Sequence, residues 1–231
     1  MSVMFNAVLF LALLTGTTNA QPDRFGTPAC DAPTQTMASR TAFTLCFDSS
    51  TKVATWAAYE LTPEHLESFA APRPSHFRRD PALADSAADL DYRNSGFDRG
   101  HLVPARDVAY SPAALAESFF LSNAAPQVPS VNRGSLRRVE ESIRSEASHS
   151  QAVYVITGTL YDCSPEVTRI GPNNVAVPCA FFKAMLTVTR ETMKLRGVLI
   201  SNEAHAEPTE VSVAELERRT GLRFFPKTTV Q

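Results

Sequence analysis

The stretch Gly96-Phe97-Asp98-Arg99-Gly100-His101-Leu102-Val103-Pro104-Ala105 places a histidine two residues after an arginine. Histidine is the side chain best suited to take up a proton near neutral pH. Arginine carries a planar set of donors that can hold a phosphate group through two hydrogen bonds. Hydrolysis of a phosphodiester needs both, because a water molecule must lose a proton and the extra negative charge at phosphorus must be stabilised. Gly100 is expected to provide an unusual backbone angle that presents His101.

A second group of polar residues follows this stretch. Ser122-Asn123-Ala124-Ala125-Pro126-Gln127 precedes Asn132 by a few residues, and Glu140 lies eight residues after Asn132. The apolar spacing predicts a helix over 132–147, on which eight residues correspond to about 80° of rotation, so Asn132 and Glu140 share a face. Taken alone, Asn132 is an ordinary helix cap and Glu140 an ordinary partner for an arginine on the same helix.

Together these segments resemble the DNA/RNA non-specific endonucleases, a ββα-metal (His-Me finger) family. Asp98-Arg99-Gly100-His101 matches the family's D-R-G-H signature, and the later segments match its S-N-x-x-P-Q motif and its asparagine–glutamate helix in order and spacing. Leu136 stands where the family has a tryptophan, a difference expected to affect packing rather than chemistry. The resemblance covers residues 40–228.

The resemblance implies a role for each matching residue. His101 resembles the general base, Asn132 the single direct protein ligand of Mg²⁺, and Glu140 the acid that hydrogen-bonds water around the metal. Arg99 resembles an arginine that contacts phosphate, and Asn123 an asparagine that positions groups near the metal.

A further phosphate-binding arginine is expected in the loop upstream. Arg73, Arg78 and Arg79 compete for this role, and Phe77-Arg78 is closest to the family pattern. Arg78 is therefore our prediction, and Asp98 is expected to brace its loop rather than to bind metal. The cofactor implied is Mg²⁺, or Mn²⁺ or another divalent cation in its place.

The remaining patterns predict an α+β fold: a central, mostly antiparallel β-sheet flanked by helices, with a ββα-metal unit as active site. Alternation and turn residues predict strands at 41–47, 53–61, 151–158, 176–178, 181–189 and 195–201. Helices are predicted at 112–117, with Ser111 as N-cap, and at 213–220, with Ser212 as N-cap, Glu215 completing a capping box and Gly221 at the end. Residues 21–39 and 69–91 are expected to be irregular.

The N-terminus and the cysteines indicate export. Residues 1–20 carry no charge and contain an apolar run too short to span a bilayer, which predicts a signal peptide followed by a single domain at 21–231. We accordingly expect a secreted or periplasmic protein without stable membrane association. Four cysteines allow three disulfide pairings, of which the local Cys30–Cys46 and Cys163–Cys179 are favoured; a zinc site is disfavoured by their spacing.

The charge balance gives no independent support for a nucleic-acid substrate. The net charge is −2, although 22 basic residues include only four lysines. The favoured function is Mg²⁺-dependent hydrolysis of DNA and RNA by a protein that can form a homodimer. The alternatives are a non-catalytic nucleic-acid-binding protein on the same fold and a metal phosphodiesterase for a non-nucleic-acid substrate.

Overall fold

A computed structural model describes residues 24–68, 72–163 and 165–229 of the chain. The predicted signal peptide at residues 1–20 lies outside the described residues. The strands are β1 (Gln35–Ser39), β2 (Phe43–Asp48), β3 (Val53–Leu61), β4 (Asp98–His101), β5 (Ala124–Gln127), β6 (Ala152–Leu160), β7 (Arg169–Ile170), β8 (Val175–Ala176), β9 (Ala180–Val188), β10 (Met193–Ser201) and β11 (Thr209–Val211). The α-helices are α1 (Pro63–Glu67), α2 (Asp89–Tyr92), α3 (Pro112–Ser118), α4 (Arg137–Ala147) and α5 (Val213–Thr220).

Seven strands form one antiparallel sheet in the order β1-β2-β3-β6-β9-β10-β11. The long strands β3, β6 and β9 occupy its centre, where Thr157 of β6 lies opposite both Ala57 of β3 and Lys183 of β9. Two small two-stranded sheets, β4–β5 and β7–β8, lie outside it. The α+β prediction with a mostly antiparallel central sheet is confirmed.

The two faces of the sheet carry two separate apolar clusters, because side chains alternate along each strand. One cluster contains Tyr59, Val155 and Met185 and extends to β5, to α4 and to the residues just after β4. The other contains Trp56 and Phe182, with α5 and the C-terminal Phe224 packed against it. The functional residues considered below lie on the first face.

Most predicted elements are present. Ser111 accepts from the Ala114 amide at the start of α3, and Ser212 accepts from the Glu215 amide at the start of α5. The Glu215 carboxylate, which was predicted to complete the capping box, forms an ion pair with Arg218 instead. Gly221 ends α5 with φ +69°, as predicted.

Two segments predicted to be irregular contain regular elements. The range 69–91 ends in the short helix α2. Residues 35–39 form the edge strand β1 by pairing with β2. The turn-rich composition is overridden by backbone hydrogen bonds to a neighbouring strand, a tertiary effect that local propensity does not contain.

Both predicted disulfides are present. Cys30–Cys46 ties the segment before β1 to the second strand, and Cys163–Cys179 closes the loop between β6 and β9. Each joins residues 16 apart in sequence, and closing a loop of this length stabilises a fold by about 3 kcal/mol on the chain-entropy account.

Within the described ranges, the helices are all too short or too polar to cross a membrane.

Candidate functional site

The site is built on two short strands and the helix that follows them. β4 pairs antiparallel with β5, so that Asp98 lies opposite Gln127 and His101 opposite Ala124. The chain then forms a π-helical segment, Val131–Leu136, which continues into α4. π-Helical turns inside α-helices often occur at functional sites. Asn132 lies in this π-helical segment.

Gly100 has a different role from the one expected. Its φ is not in the left-handed region; instead, a Cβ at this position would lie 1.9 Å from the side chain of Gln127. Glycine is needed here because the Gln127 side chain packs directly on the β4 backbone. The requirement is one of space, and it fixes the distance between the two strands.

His101 lies among aromatic rings. Its imidazole is 4.7 Å from the Phe77 ring and 4.9 Å from the Phe119 ring, measured between centroids. Its Nε2 is buried and has no hydrogen-bond partner among the described residues. Burial and, to a smaller extent, the positive charge of Arg73 lower the pKa of His101 to about 3. The ring is therefore uncharged at neutral pH and can accept a proton.

Asn132 is oriented by Asp98. Its Nδ2 donates to Asp98 Oδ2 over 2.9 Å, which turns the amide oxygen to the opposite side. Arg133 donates to both oxygens of the same carboxylate, over 2.8 and 2.6 Å. Partial burial raises the pKa of Asp98, but the hydrogen bonds from Arg133 and Asn132 outweigh burial and lower it overall. An ionised Asp98 thus links β4 to the start of the helix.

Asn123 is fully buried and bonded to the backbone. Its Oδ1 accepts from the Val103 amide, and its Nδ2 donates to the carbonyl oxygens of Val103 and Ser118. The Leu102 amide donates to the Asn123 carbonyl. These bonds hold the chain immediately after His101, so Asn123 can act on the site through the position of that histidine.

Glu140 faces a buried lysine. The side chain of Glu140 is 17% exposed, and its Oε1 lies 4.0 Å from Nζ of Lys183, which is 1% exposed. Burial raises the pKa of Glu140 to about 7, against the opposing effect of Lys183. The solvated ion pair weighed from sequence is formed instead by Arg137 and Glu141, whose side chains are 3.1 Å apart.

His101, Asn132 and Glu140 line one pocket of 470 Å³. Its charged residues are mainly arginines, although the whole chain is slightly acidic. The lining consists of Arg73, His101, Pro104, Ala105, Arg106, Asn132, Arg133, Arg137, Glu140, Glu141 and Arg144. We call this pocket the arginine pocket. Its positive charge is local, which is why the net charge did not reveal it.

Two of the arginines chosen from sequence lie outside this lining. Arg99 forms an ion pair with Asp89 over 2.7 Å, donates to the Asp89 carbonyl and packs over the Tyr92 ring. Arg78 packs over the Phe120 ring at 4.6 Å and donates to the Ala116 carbonyl. Both side chains are directed to neighbouring helices, α2 and α3 respectively.

Arg73 is the loop arginine that reaches the arginine pocket. Its guanidinium packs over the Phe119 ring, which also contacts His101. Arg73 was one of three candidates, and a pattern match favoured Arg78. The sequence of this proline-containing loop has no periodic pattern that distinguishes the three arginines. The contact of the Arg73 guanidinium with the Phe119 ring distinguishes Arg73 from the other two.

Known proteins similar to this chain are nucleases. The family model described as DNA/RNA non-specific endonuclease matches residues 21–231. Human mitochondrial endonuclease G is 37% identical over 204 residues, covering 81% of this chain and 69% of that protein. The mitochondrial nuclease of Saccharomyces cerevisiae is 30% identical over 234 residues, covering 90% of this chain and 71% of that protein.

A solved structure has the same fold. The crystal structure of the EndoG/EndoGI complex, which concerns EndoG inhibition, superposes with a TM-score of 0.82 and 28% sequence identity. The match covers 90% of this chain and 91% of that one.

The comparisons correct one prediction. The expectation of a secreted or periplasmic protein is wrong, because relatives including those from human and yeast are mitochondrial nucleases. The expectation followed from an apolar N-terminal run and an even cysteine count, neither of which specifies the destination of a chain.

Proposed function

Since this chain belongs to the DNA/RNA non-specific endonuclease family, it is a nuclease, and we propose that it hydrolyses phosphodiester bonds of both DNA and RNA with a divalent cation, Mg²⁺ first among them. In this proposal His101 is the general base and Asn132 the protein ligand of the cation. The observation that carries it is that an uncharged histidine and an oriented amide line one arginine-rich pocket.

The donors of the arginine pocket fit a hard cation. Mg²⁺ prefers oxygen ligands, retains several of its waters and therefore needs few protein ligands. The Asn132 amide oxygen would bind directly, since the amide nitrogen is held by Asp98. The Glu140 carboxylate would accept hydrogen bonds from the surrounding water. The cation would supply a Lewis acid for the phosphate oxygens and the leaving oxygen.

His101 would remove the proton from the attacking water. Because Nε2 is buried, we assign the proton of the neutral ring to Nε2 and the proton-accepting lone pair to Nδ1. A phosphate bound nearby would raise the basicity of the ring, since its negative charge opposes the effects of burial and Arg73. The aromatic rings restrict the imidazole to one orientation for this transfer.

Arginine side chains would bind and stabilise the phosphate. Arg73 is the loop arginine that we place there, in preference to Arg78. Arg99 would contribute after leaving Asp89, an exchange that costs little because partly exposed ion pairs are weak. Contacts of this kind engage the backbone of a nucleic acid rather than its base edges, so weak sequence preference follows.

Asp98 and Asn123 would act by positioning other groups. Asp98 orients Asn132, and Asn123 holds the backbone beside His101. Both are bonded within the protein and neither needs to contact the substrate.

We place the reaction in mitochondria, in agreement with the names of the human and yeast relatives. Fractionation of cells producing the full chain would test this, and nuclease recovered only in the medium would contradict it.

The test of the proposed function is a nuclease assay on purified protein. Supercoiled plasmid, single-stranded RNA and a small aryl phosphodiester are incubated with the wild type, with and without EDTA and restored Mg²⁺. We expect nicking of plasmid and cleavage of RNA, loss of both in EDTA, recovery with Mg²⁺ and little turnover of the small ester. Cleavage of the small ester alone would favour a phosphodiesterase of another class, and an inactive wild type would favour a binding protein.

A further inference from the structure

Beneath the arginine pocket lies a cluster of four charged side chains. Lys183 on β9 is directed to the site face of the central sheet, and its Nζ is 4.0 Å from Glu140 Oε1. Nearby, Arg144 Nη1 contacts Asp107 Oδ1 over 2.7 Å, with both side chains largely buried. We call Glu140, Lys183, Asp107 and Arg144 the charged quartet. It contains two carboxylates and two cations, so its charges balance.

The position of Lys183 is fixed by the sheet. The residue is 1% exposed, and its Nζ donates to Oγ1 of Thr157, the residue opposite it on β6, over 3.3 Å. A buried ammonium group costs free energy unless nearby charges and hydrogen bonds compensate it. The sheet thus holds a charge in a region where an apolar side chain would otherwise be expected.

The rest of the quartet is paired differently. Asp107 accepts directly from Arg144 and, over 3.1 Å, from the Tyr59 hydroxyl on β3. Arg144 follows Glu140 by one helical turn, but its guanidinium is bonded to Asp107. The ammonium group of Lys183 is therefore the main counter-charge for the Glu140 carboxylate.

We propose that Lys183 is a positioning residue for Glu140, favouring the ionised form of its carboxylate and directing it into the arginine pocket. The inference rests on the proposed function in one respect: it treats Glu140 as the group that accepts hydrogen bonds from water around the cation. An ionised carboxylate can accept these bonds, whereas a protonated one offers a donor in the same place. Lys183 would act through Glu140 and would not touch the substrate.

The electrostatic surroundings of Glu140 support this role. Burial raises its pKa, and Lys183 is the strongest opposing influence; Arg144 also lowers it, while Asp107 and Glu141 raise it. The outcome is a pKa of about 7. Without the lysine charge, the carboxyl group would be mainly protonated at neutral pH.

The groups that face Lys183 shift the pKa of its ammonium group in both directions. Burial lowers the pKa of the Lys183 ammonium, Glu140 and Asp107 raise it, and Arg144 lowers it. Tyr59 completes the set on the β3 side; burial and the charges of Asp107 and Glu140 raise its pKa well above the usual value, so it stays protonated. Lys183 and Glu140 consequently stabilise each other's charged forms.

The first test measures Glu140 directly, without substrate or metal. The side-chain carboxyl of Glu140 is titrated by NMR in glutamate-labelled wild type and in Lys183→Met, which removes the charge and keeps a similar length. We expect its pKa to rise by at least about one unit in Lys183→Met. Lys194→Met, an exposed lysine on the adjacent strand β10, is the matched control and should leave it unchanged. An unmoved Glu140 titration in folded Lys183→Met overturns the proposal, whatever the activity of the protein.

Activity then separates positioning from plain structural support. The acid limb of the pH–rate profile should move to higher pH in Lys183→Met, with a loss of about tenfold at pH 6 that shrinks at pH 9. In a Glu140→Gln background, Lys183→Met should cause little further loss, because the residue through which it acts is already neutral. A loss that is equal at all pH values and equal in both backgrounds would mean that Lys183 only supports the fold.

The coupling can also be measured from the other side. If Lys183→Met does not fold, the ammonium of Lys183 is titrated by NMR in wild type and in Glu140→Gln, a substitution at the pocket wall. Coupling between two binding sites is reciprocal, so the Lys183 pKa should fall by a similar amount. No change in Glu140→Gln would overturn the proposal.

Discussion

The two halves of the site differ in kind. The half on β4 holds His101 between the Phe77 and Phe119 rings, with its Nε2 lacking a polar partner among the described residues. The half on the helix holds Asn132 and Glu140 among ions, with Asp98 bonded to one and Lys183 facing the other. The apolar half favours the uncharged form of its titratable group, His101, whereas the half on the helix favours the charged form of Glu140.

This difference matches the tasks in the proposed reaction. A general base must be uncharged before the reaction, and an apolar surrounding favours the uncharged form of histidine. Groups around a cation must present oxygens with negative or partial negative charge, and neighbouring cations or donors keep them oriented. The same short strand serves both halves, because Asp98 and His101 are three residues apart on β4.

The largest effect is expected from His101→Ala. Loss of the base should lower kcat for plasmid nicking by about 10³-fold or more, since general base catalysis contributes about 10² to 10⁴-fold. The exposed His149→Ala is the control and should keep wild-type activity. A His101→Ala protein within tenfold of wild type would remove the base assignment.

Asn132→Ala should affect the other half. Removal of the direct ligand should raise the Mg²⁺ concentration needed for half-maximal activity by at least about 100-fold, since loss of a group outside the ligand sphere already costs about 10- to 100-fold. Ser142→Ala, an exposed substitution on α4, provides the comparison. Full activity of Asn132→Ala at low Mg²⁺ would contradict the ligand assignment.

The loop arginines allow a matched test between two similar side chains. Arg73 packs over Phe119 and Arg78 over Phe120, yet only Arg73 lines the pocket. Arg73→Ala should raise KM for DNA about tenfold or more, the size expected for a lost charge-assisted hydrogen bond. Arg78→Ala should change it by less than about twofold. The reverse order would restore the assignment made from sequence.

The smallest effect is expected from Phe77→Ala, which admits water to His101. The folded-state pKa of His101, about 3, lies below its ordinary value of 6.5. The stability linked to this difference is present above pH 6.5 and is lost as pH falls toward 3. Phe77→Ala should raise the His101 pKa by at least about one unit and reduce this acid-dependent loss.

NMR titration of the imidazole and thermal unfolding at pH 7 and pH 4 measure both quantities. Phe25→Ala is the control, since Phe25 is also half-buried and lies 4.7 Å from a ring, that of Tyr154 on the other sheet face. Equal shifts in the two variants would show that the Phe77 ring does not set the state of His101.

The sequence predicted the parts of the site that follow local rules. His101 lies in a recognisable motif, and the spacing of Asn132 and Glu140 along one helix brought them to one pocket. Strand alternation identified the central sheet, while β1 was missed because its pairing with β2 is a tertiary contact. Gly100 was assigned the wrong physical role, since a close approach by Gln127 is not visible in a single segment.

Long-range ionic contacts could not be predicted. Lys183 and Glu140 are far apart in sequence, and each alone is typical of a surface residue; only the sheet register and the placement of α4 bring them together. The same holds for Asp107 with Arg144, and for Arg73 with the rings beside His101. Net charge was a poor guide because it does not show where the arginines lie, and five of them line one pocket.

Cation binding without substrate tests most directly whether the two halves of the site have separate roles. Isothermal titration of Mg²⁺ or Mn²⁺ into wild type, His101→Ala and Asn132→Ala requires no activity. We expect His101→Ala to bind the cation as tightly as wild type, whereas Asn132→Ala should bind it about 100-fold more weakly or not at all. Equal loss in both variants, or loss in His101→Ala alone, would contradict the separate roles of His101 as base and Asn132 as ligand.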